Sequence, residues 1–204
     1  MNKTKRLENC SFCYPNDKYR ILHSSENFYI MVSLGQISEG YLLLVSKEHI
    51  QSCANLPSEY HQEFIKLYNK ILQILKNQYG NAIAFEHGRS GSCLTTKNSS
   101  EHCFHSHMHF VPLNGIISDS IFLEQKTEYD SIDLFLKDIN NKIFPYLFVH
   151  DDMIRSYRVD RIIERQYLRK LVSSKFGTPN LWNWQEFPRH NVIDSTISKL
   201  KTAF

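Results

Sequence analysis

The residues with the most chemistry to offer crowd into one stretch, His102-Cys-Phe-His105-Ser-His107-Met-His109-Phe-Val-Pro112. His105, His107 and His109 stand at i, i+2 and i+4. On a β-strand alternate side chains share a face, so these three line one side at steps of about 6.6 Å. Three imidazoles on one strand face are expensive as core packing, because each neutral ring keeps a donor and an acceptor to satisfy. Two kinds of chemistry fit instead. Neutral imidazoles ligate zinc and other transition metals. Alternatively, one histidine is a nucleophile and its neighbours orient it, donate protons and bind an anion.

Two further groups stand out. Cys10 and Cys13 form a C-x2-C pair. In a reducing compartment that spacing serves a metal or a redox pair more often than a structural disulfide. The odd total of five cysteines agrees, and Cys53 reads as a small buried hydrophobe. The second group is cationic. Residues 1–150 hold 14 Lys/Arg and 15 Asp/Glu, whereas residues 151–204 hold 10 and 6, so the net charge of +3 comes from the last quarter. On a helix, Arg158, Arg161, Arg165 and Arg169 form one face. That face reads as an RNA or polyphosphate contact, or as a solvated surface. Trp182 and Trp184 either stack a base or pin the chain onto the core.

The elements that must position these groups follow from pattern. Asn27–Leu34 and Gly40–Ser46 are rich in aromatic and β-branched residues and predict an antiparallel strand pair around Gly35 and Gly40. Ser58–Tyr79 carries Phe64, Leu67, Tyr68, Ile71 and Leu75 at helical spacing, with Ser58 as N-cap and Gly80 as stop. Ala82–Glu86 and His105–Leu113 predict strands. Asp130–Ile143 predicts a helix, and Tyr146–Val149 with Met153–Val159 a hairpin turning at Asp151-Asp152. Asp160–Phe176 and Asn191–Lys201 predict the last helices. Strands and helices lack regular βαβ alternation, which argues an α+β fold with an antiparallel sheet.

Composition sets the class. Hydrophobic residues make up 42% and charged residues 22% of 204, which excludes a disordered chain. No apolar run approaches the roughly 20 residues that span a bilayer. Met1 to Asn9 is polar, without the apolar core of a secretory signal. A cytoplasmic protein without a membrane partner is expected.

The motif His105-Ser-His107-Met-His109-Phe-Val resembles that of the histidine triad (HIT) family of nucleotide hydrolases and transferases. The resemblance extends to Cys10-Ser-Phe-Cys13, the strand pair Phe28–Leu44, Ser46-Lys47-Glu48-His49-Ile50 and Phe85-Glu86-His87-Gly88, in order over roughly residues 8–113. It implies that His107 attacks the α-phosphorus of a nucleotide and forms a nucleotidyl-histidine. The Nδ1–H of His107 would then donate to a backbone carbonyl or similar acceptor, leaving Nε2 bare. His109 would stabilise the phosphate. It implies nucleotide contacts from Glu86, His102 and His109, and a structural zinc on Cys10, Cys13, His49 and His105, with no catalytic cofactor. It also implies a homodimer and a substrate such as a dinucleoside polyphosphate or a nucleoside phosphoramidate.

The chain departs from the family pattern in places. Ser33 stands where an acidic ribose contact is common. Glu101 and His102 stand near positions usually held by Gln and Ser, and His102 reads as a general acid or as a solvated loop residue. The expected organisation is a HIT-like catalytic domain, 1–113, with a packed helix, and an extension of helices and a hairpin, 114–204, packed on it. Two rivals remain, a metal-dependent hydrolase and a non-catalytic nucleotide- or RNA-binding module.

Overall fold

The computed structural model describes residues 6–8, 10–89, 105–140 and 142–204. Its strands are β1 (Ile21–Ser24), β2 (Phe28–Val32), β3 (Leu42–Ser46), β4 (Ile83–Glu86), β5 (His107–Val111), β6 (Lys126–Tyr129), β7 (Tyr146–His150) and β8 (Ile154–Arg158). They form one eight-stranded antiparallel sheet in the order β1-β2-β3-β5-β4-β7-β8-β6. The fold is α+β, with helices α1 (His61–Tyr79), α2 (Ile132–Ile139), α3 (Tyr167–Lys175) and α4 (His190–Leu200). Three strands from beyond residue 114 thus extend the sheet that carries the histidines. No described helix is long and apolar enough to cross a membrane.

Both faces of the sheet are covered, and this explains the sequence of its central strands. One core joins Phe28, Ile30, Leu44, Met108 and Phe110 to Phe64, Ile71, Phe135 and Ile193 of α1, α2 and α4. The other joins Tyr29, Met31, Leu43, Phe85 and Val111 to Leu168 and Val172 of α3. Every residue of β2 and β3 is buried, so they read as continuous apolar runs rather than alternating ones. Edge strand β6 is the opposite case. Its residues Lys126, Thr127 and Glu128 are exposed, and charge on an edge discourages pairing with another chain.

Some expectations are corrected. Ser58 opens a 3-10 turn, and neither that turn nor α1 has a side-chain cap bond. The stop at Gly80 holds, with φ +89°. Helix α2 is shorter than the expected Asp130–Ile143: it begins at Ile132, where the Ser131 side chain accepts from the Leu134 N–H, and ends at Ile139. The arginine face does not form. Arg158 ends β8, and α3 starts only at Tyr167, after Gln166 in a left-handed conformation. Tertiary pairing overrides helical spacing here: the Val159 N–H donates to the Pro145 carbonyl, and Arg161 to that of Phe122. The basic helix expected to meet RNA or polyphosphate is therefore a nine-residue segment, with Arg169 buried on it.

Candidate functional site

The site is built at the start of β5. Adjacent strands place Leu43 opposite His109 and Val45 opposite His107 on one side, and Phe85 opposite His109 on the other. His107 and His109 share the face packed by α3, and their rings are 4.8 Å apart. His105 precedes the strand rather than beginning it, and its side chain leaves the row to join a different group. The expected row of three is therefore a row of two plus a turn residue.

The His107 Nδ1 lies 2.6 Å from the His105 carbonyl. A carbonyl only accepts, so Nδ1 carries the ring proton and Nε2 is left bare. Burial also pushes His107 below the usual histidine range, which keeps it neutral near pH 7. His109 is stacked on Phe85 at 4.5 Å, and its Nδ1 is 2.7 Å from the Tyr41 hydroxyl. Burial holds its pKa well below the ordinary value. A fourth ring, His87, stands 6.2 Å from His109 edge to face. The Leu168 N–H donates to its Nε2, and burial takes its pKa down to about 3.

These rings open on a cleft of about 640 Å³. Phe12, Met31, Leu43 and Trp184 give it apolar surface, while Arg20, Arg89, Arg165 and Arg169 give it positive charge. Phe12 lies 4.8 Å from His107. Ser33, at the expected ribose position, lines the same cleft, but its hydroxyl donates to the Leu34 carbonyl.

Glu86 is among the residues that line the cleft. Its carboxylate, however, turns toward the face covered by α1, α2 and α4, opposite to the face of His107 and His109. There it accepts from the Cys53 N–H at 2.9 Å and from the Tyr146 hydroxyl at 2.6 Å. Burial raises its pKa. The side chain is thus a tie between β4, β7 and the turn at Cys53. His102 lies outside the described residues, as do Glu101, Cys93 and Cys103. Of the other histidines, His61 faces the Leu56 carbonyl and His150 pairs with Tyr68, both satisfied as core residues.

Cys10, Cys13, His49 and His105 come together with donor atoms within 4.8 Å of one another. His105 Nδ1 is 3.4 Å from Cys10 Sγ, 3.7 Å from Cys13 Sγ and 3.3 Å from His49 Nδ1, and Cys13 Sγ is 3.5 Å from His49 Nδ1. A tetrahedral zinc with ordinary bond lengths needs ligand-to-ligand edges of about 3.3–3.8 Å, and these four edges fit. Its outer contacts fit as well. His105 Nε2–H donates to the Ser46 carbonyl at 2.8 Å, which turns a bare Nδ1 toward the sulfurs. Burial takes the His105 ring down to about 3 and the Cys13 thiol up to about 11. A cation at the centre would reverse that penalty on the thiol.

Sequence reasoning missed Tyr41 and undervalued His87 and Arg169. Tyr41 shows no signal beyond its place in an apolar strand. His87 stood in the quoted Phe85-Glu86-His87-Gly88 segment. Arg169 belonged to a stripe with an equally good solvated reading.

Residues 1–126 match a family model described as "Protein similar to CwfJ C-terminal". No curated protein matches the chain. Among solved structures it is similar to a hypothetical histidine triad nucleotide-binding protein from Sulfolobus tokodaii strain 7. There the identity is 17% and the TM-score 0.41, over 64% of this chain and 88% of that one. It is also similar to SMU.412c from Streptococcus mutans UA159, at 16% identity and TM-score 0.42, over 68% and 84%.

Proposed function

The chain belongs to the family of proteins similar to the CwfJ C-terminal region, and on that premise we propose that it is a nucleotide hydrolase or nucleotidyltransferase. It acts on the α-phosphate of a dinucleoside polyphosphate or a nucleoside phosphoramidate. The observation that carries this reading is the 2.6 Å contact of His107 Nδ1 with the His105 carbonyl. It fixes the tautomer: in the neutral ring, which burial favours, the proton sits on Nδ1 and the lone pair on Nε2, which is the form a nucleophile needs.

A phosphate oxygen repels an anionic nucleophile, and a neutral imidazole is not repelled. The Nε2 lone pair of His107 attacks the α-phosphorus. A P–Nε2 bond forms and the P–O or P–N bond to the leaving group breaks, with its electron pair going to that group. Water or another acceptor then attacks the phosphorus as the P–Nε2 bond breaks; the electron pair returns to Nε2, restoring neutral His107, and the acceptor's proton passes to solvent. His109 donates to the phosphoryl oxygens. Its tautomer follows from its partners. With the Tyr41 hydroxyl 2.7 Å away as the donor, His109 Nδ1 is the acceptor. The His109 ring proton then sits on Nε2, as a donor to developing charge.

Cys10, Cys13, His49 and His105 would hold a structural zinc, which supplies cross-linking when bound. The test is product analysis by mass spectrometry on a panel of dinucleoside polyphosphates and adenylated amines without added metal. Wild type is expected to release a nucleoside monophosphate and His107→Ala to release none. Equal turnover by both would remove His107 from the mechanism.

A further inference from the structure

Arg169 is 2% exposed yet lines the cleft. Its Nε donates to the Trp182 carbonyl at 3.0 Å and its Nη2 to the Gly35 carbonyl at 2.8 Å. Its guanidinium carbon stands 5.0 Å from the centre of the Tyr41 ring. Carbonyl dipoles and a ring face satisfy N–H groups, but they leave a unit charge without a counter-charge. Among the described residues no carboxylate forms an ion pair with it. Arg20, the other buried arginine of the cleft, differs in this respect, because Asp17 lies 3.4 Å away. His87 and His109 cannot provide the missing charge, since an imidazole is neutral or positive.

The described residues thus bury a cation beside the paired histidines and give it no anion of their own. A cation taken out of water without a partner costs stability, and a ligand that brings the anion removes that cost. A guanidinium is the side chain whose fork matches phosphate oxygens. We infer that Arg169 is the anchor for the phosphate oxygens of the substrate, so that the region after β5 completes the site as well as covering it. This rests on the nucleotide reading above and adds a specificity residue to it: the cleft selects for the charge of a phosphate through a residue 62 positions beyond His107.

The test is calorimetric titration of the full chain with the four common ribonucleoside monophosphates and the four matching nucleosides. Wild type is expected to prefer at least one monophosphate over its nucleoside. Arg169→Gln should lower that preference by about tenfold or more, the scale of a lost charge-assisted hydrogen bond, while affinity for the nucleoside stays unchanged. A merely structural role would weaken both ligands together and leave the ratio intact, which would overturn the proposal. Arg169→Lys keeps the charge and loses the fork. If the glutamine variant does not fold, a preference in the lysine variant equal to that of wild type overturns the proposal, and a reduced one supports it. No preference in wild type for any monophosphate would overturn the nucleotide reading and this inference together. A preference that survives in Arg169→Gln overturns this inference alone.

Discussion

On one side of His107 the chain is held by four side chains, Cys10, Cys13, His49 and His105, whose donor atoms converge within 4.8 Å. On the other side the ties run largely to main-chain groups, and the one beside the histidines is a guanidinium that grips two carbonyls, those of Trp182 and Gly35. The first fastening is made of residue types that announce themselves. The second uses an ordinary arginine and groups that every residue possesses. The contrast shows that two walls of one cleft can be equally buried and yet differ widely in how far their sequence reveals them.

The largest expected effect comes from breaking the first wall. Cys10→Ser leaves three donors where a closed site needs four. Purified wild type should carry zinc by elemental mass spectrometry and Cys10→Ser should not. The variant's melting temperature should fall by about 10 °C or more. A wild type free of metal with an unchanged melting point in strong chelator would mean that the four donors are a packing cluster only.

The second wall is tested by Gly35→Ala. Gly35 has φ +59°, and a Cβ there would stand 2.4 Å from the Trp184 Cβ and 2.6 Å from its Cα. Both the conformation and the neighbour forbid the methyl group, so urea titration should show a loss of about 2 kcal/mol or more. A neutral result would mean that the Trp184 segment does not sit on Gly35 in solution.

The smallest effect belongs to the outer tie of that wall, Glu39. Lys199 and the Ser195 hydroxyl hold its carboxyl below the ordinary glutamate range. An acid with a lowered folded pKa adds stability above its unfolded value of about 4.3 and loses it as pH falls through the lower folded value. Glu39→Gln should therefore cost under about 1 kcal/mol near pH 7, because the pair is partly exposed. The gap to wild type should close below about pH 4. A gap that is constant with pH would assign the effect to packing.

What the sequence made legible follows the same division. The histidine row and the C-x2-C pair were legible from residue type and short spacing, while the joining of His49 and His105 to the cysteines came only with the family resemblance. Helix α1 and the β7–β8 hairpin were readable from periodicity and from Asp151-Asp152. Strand β6 was not, since its charged residues form a strand only because β8 pairs with them. Helix α3 was drawn too long because the arginines repeat at helical spacing, while Val159 and Arg161 bond to distant backbone. Glu86 was legible as a residue of the cleft wall, but not the turn of its carboxylate toward Cys53 and Tyr146, because the pleat decides where a side chain goes.

The strand order has a consequence for how the molecule is made. Helix α4 packs against β2, and its Thr196 hydroxyl accepts from the Gly40 N–H, a link across 156 positions. A ribosome adds roughly 5–20 residues per second. His107 is therefore synthesised several seconds before Trp184, Arg169's carbonyl partner at 182 and α4 all exist. During that interval the nascent chain holds its first strands with one face uncovered, and the cleft has no second wall. His107 and His109 are thus translated early, and the wall of their cleft that holds Arg169 and Trp184 is completed only after α3 and the segment leading to α4 have been made.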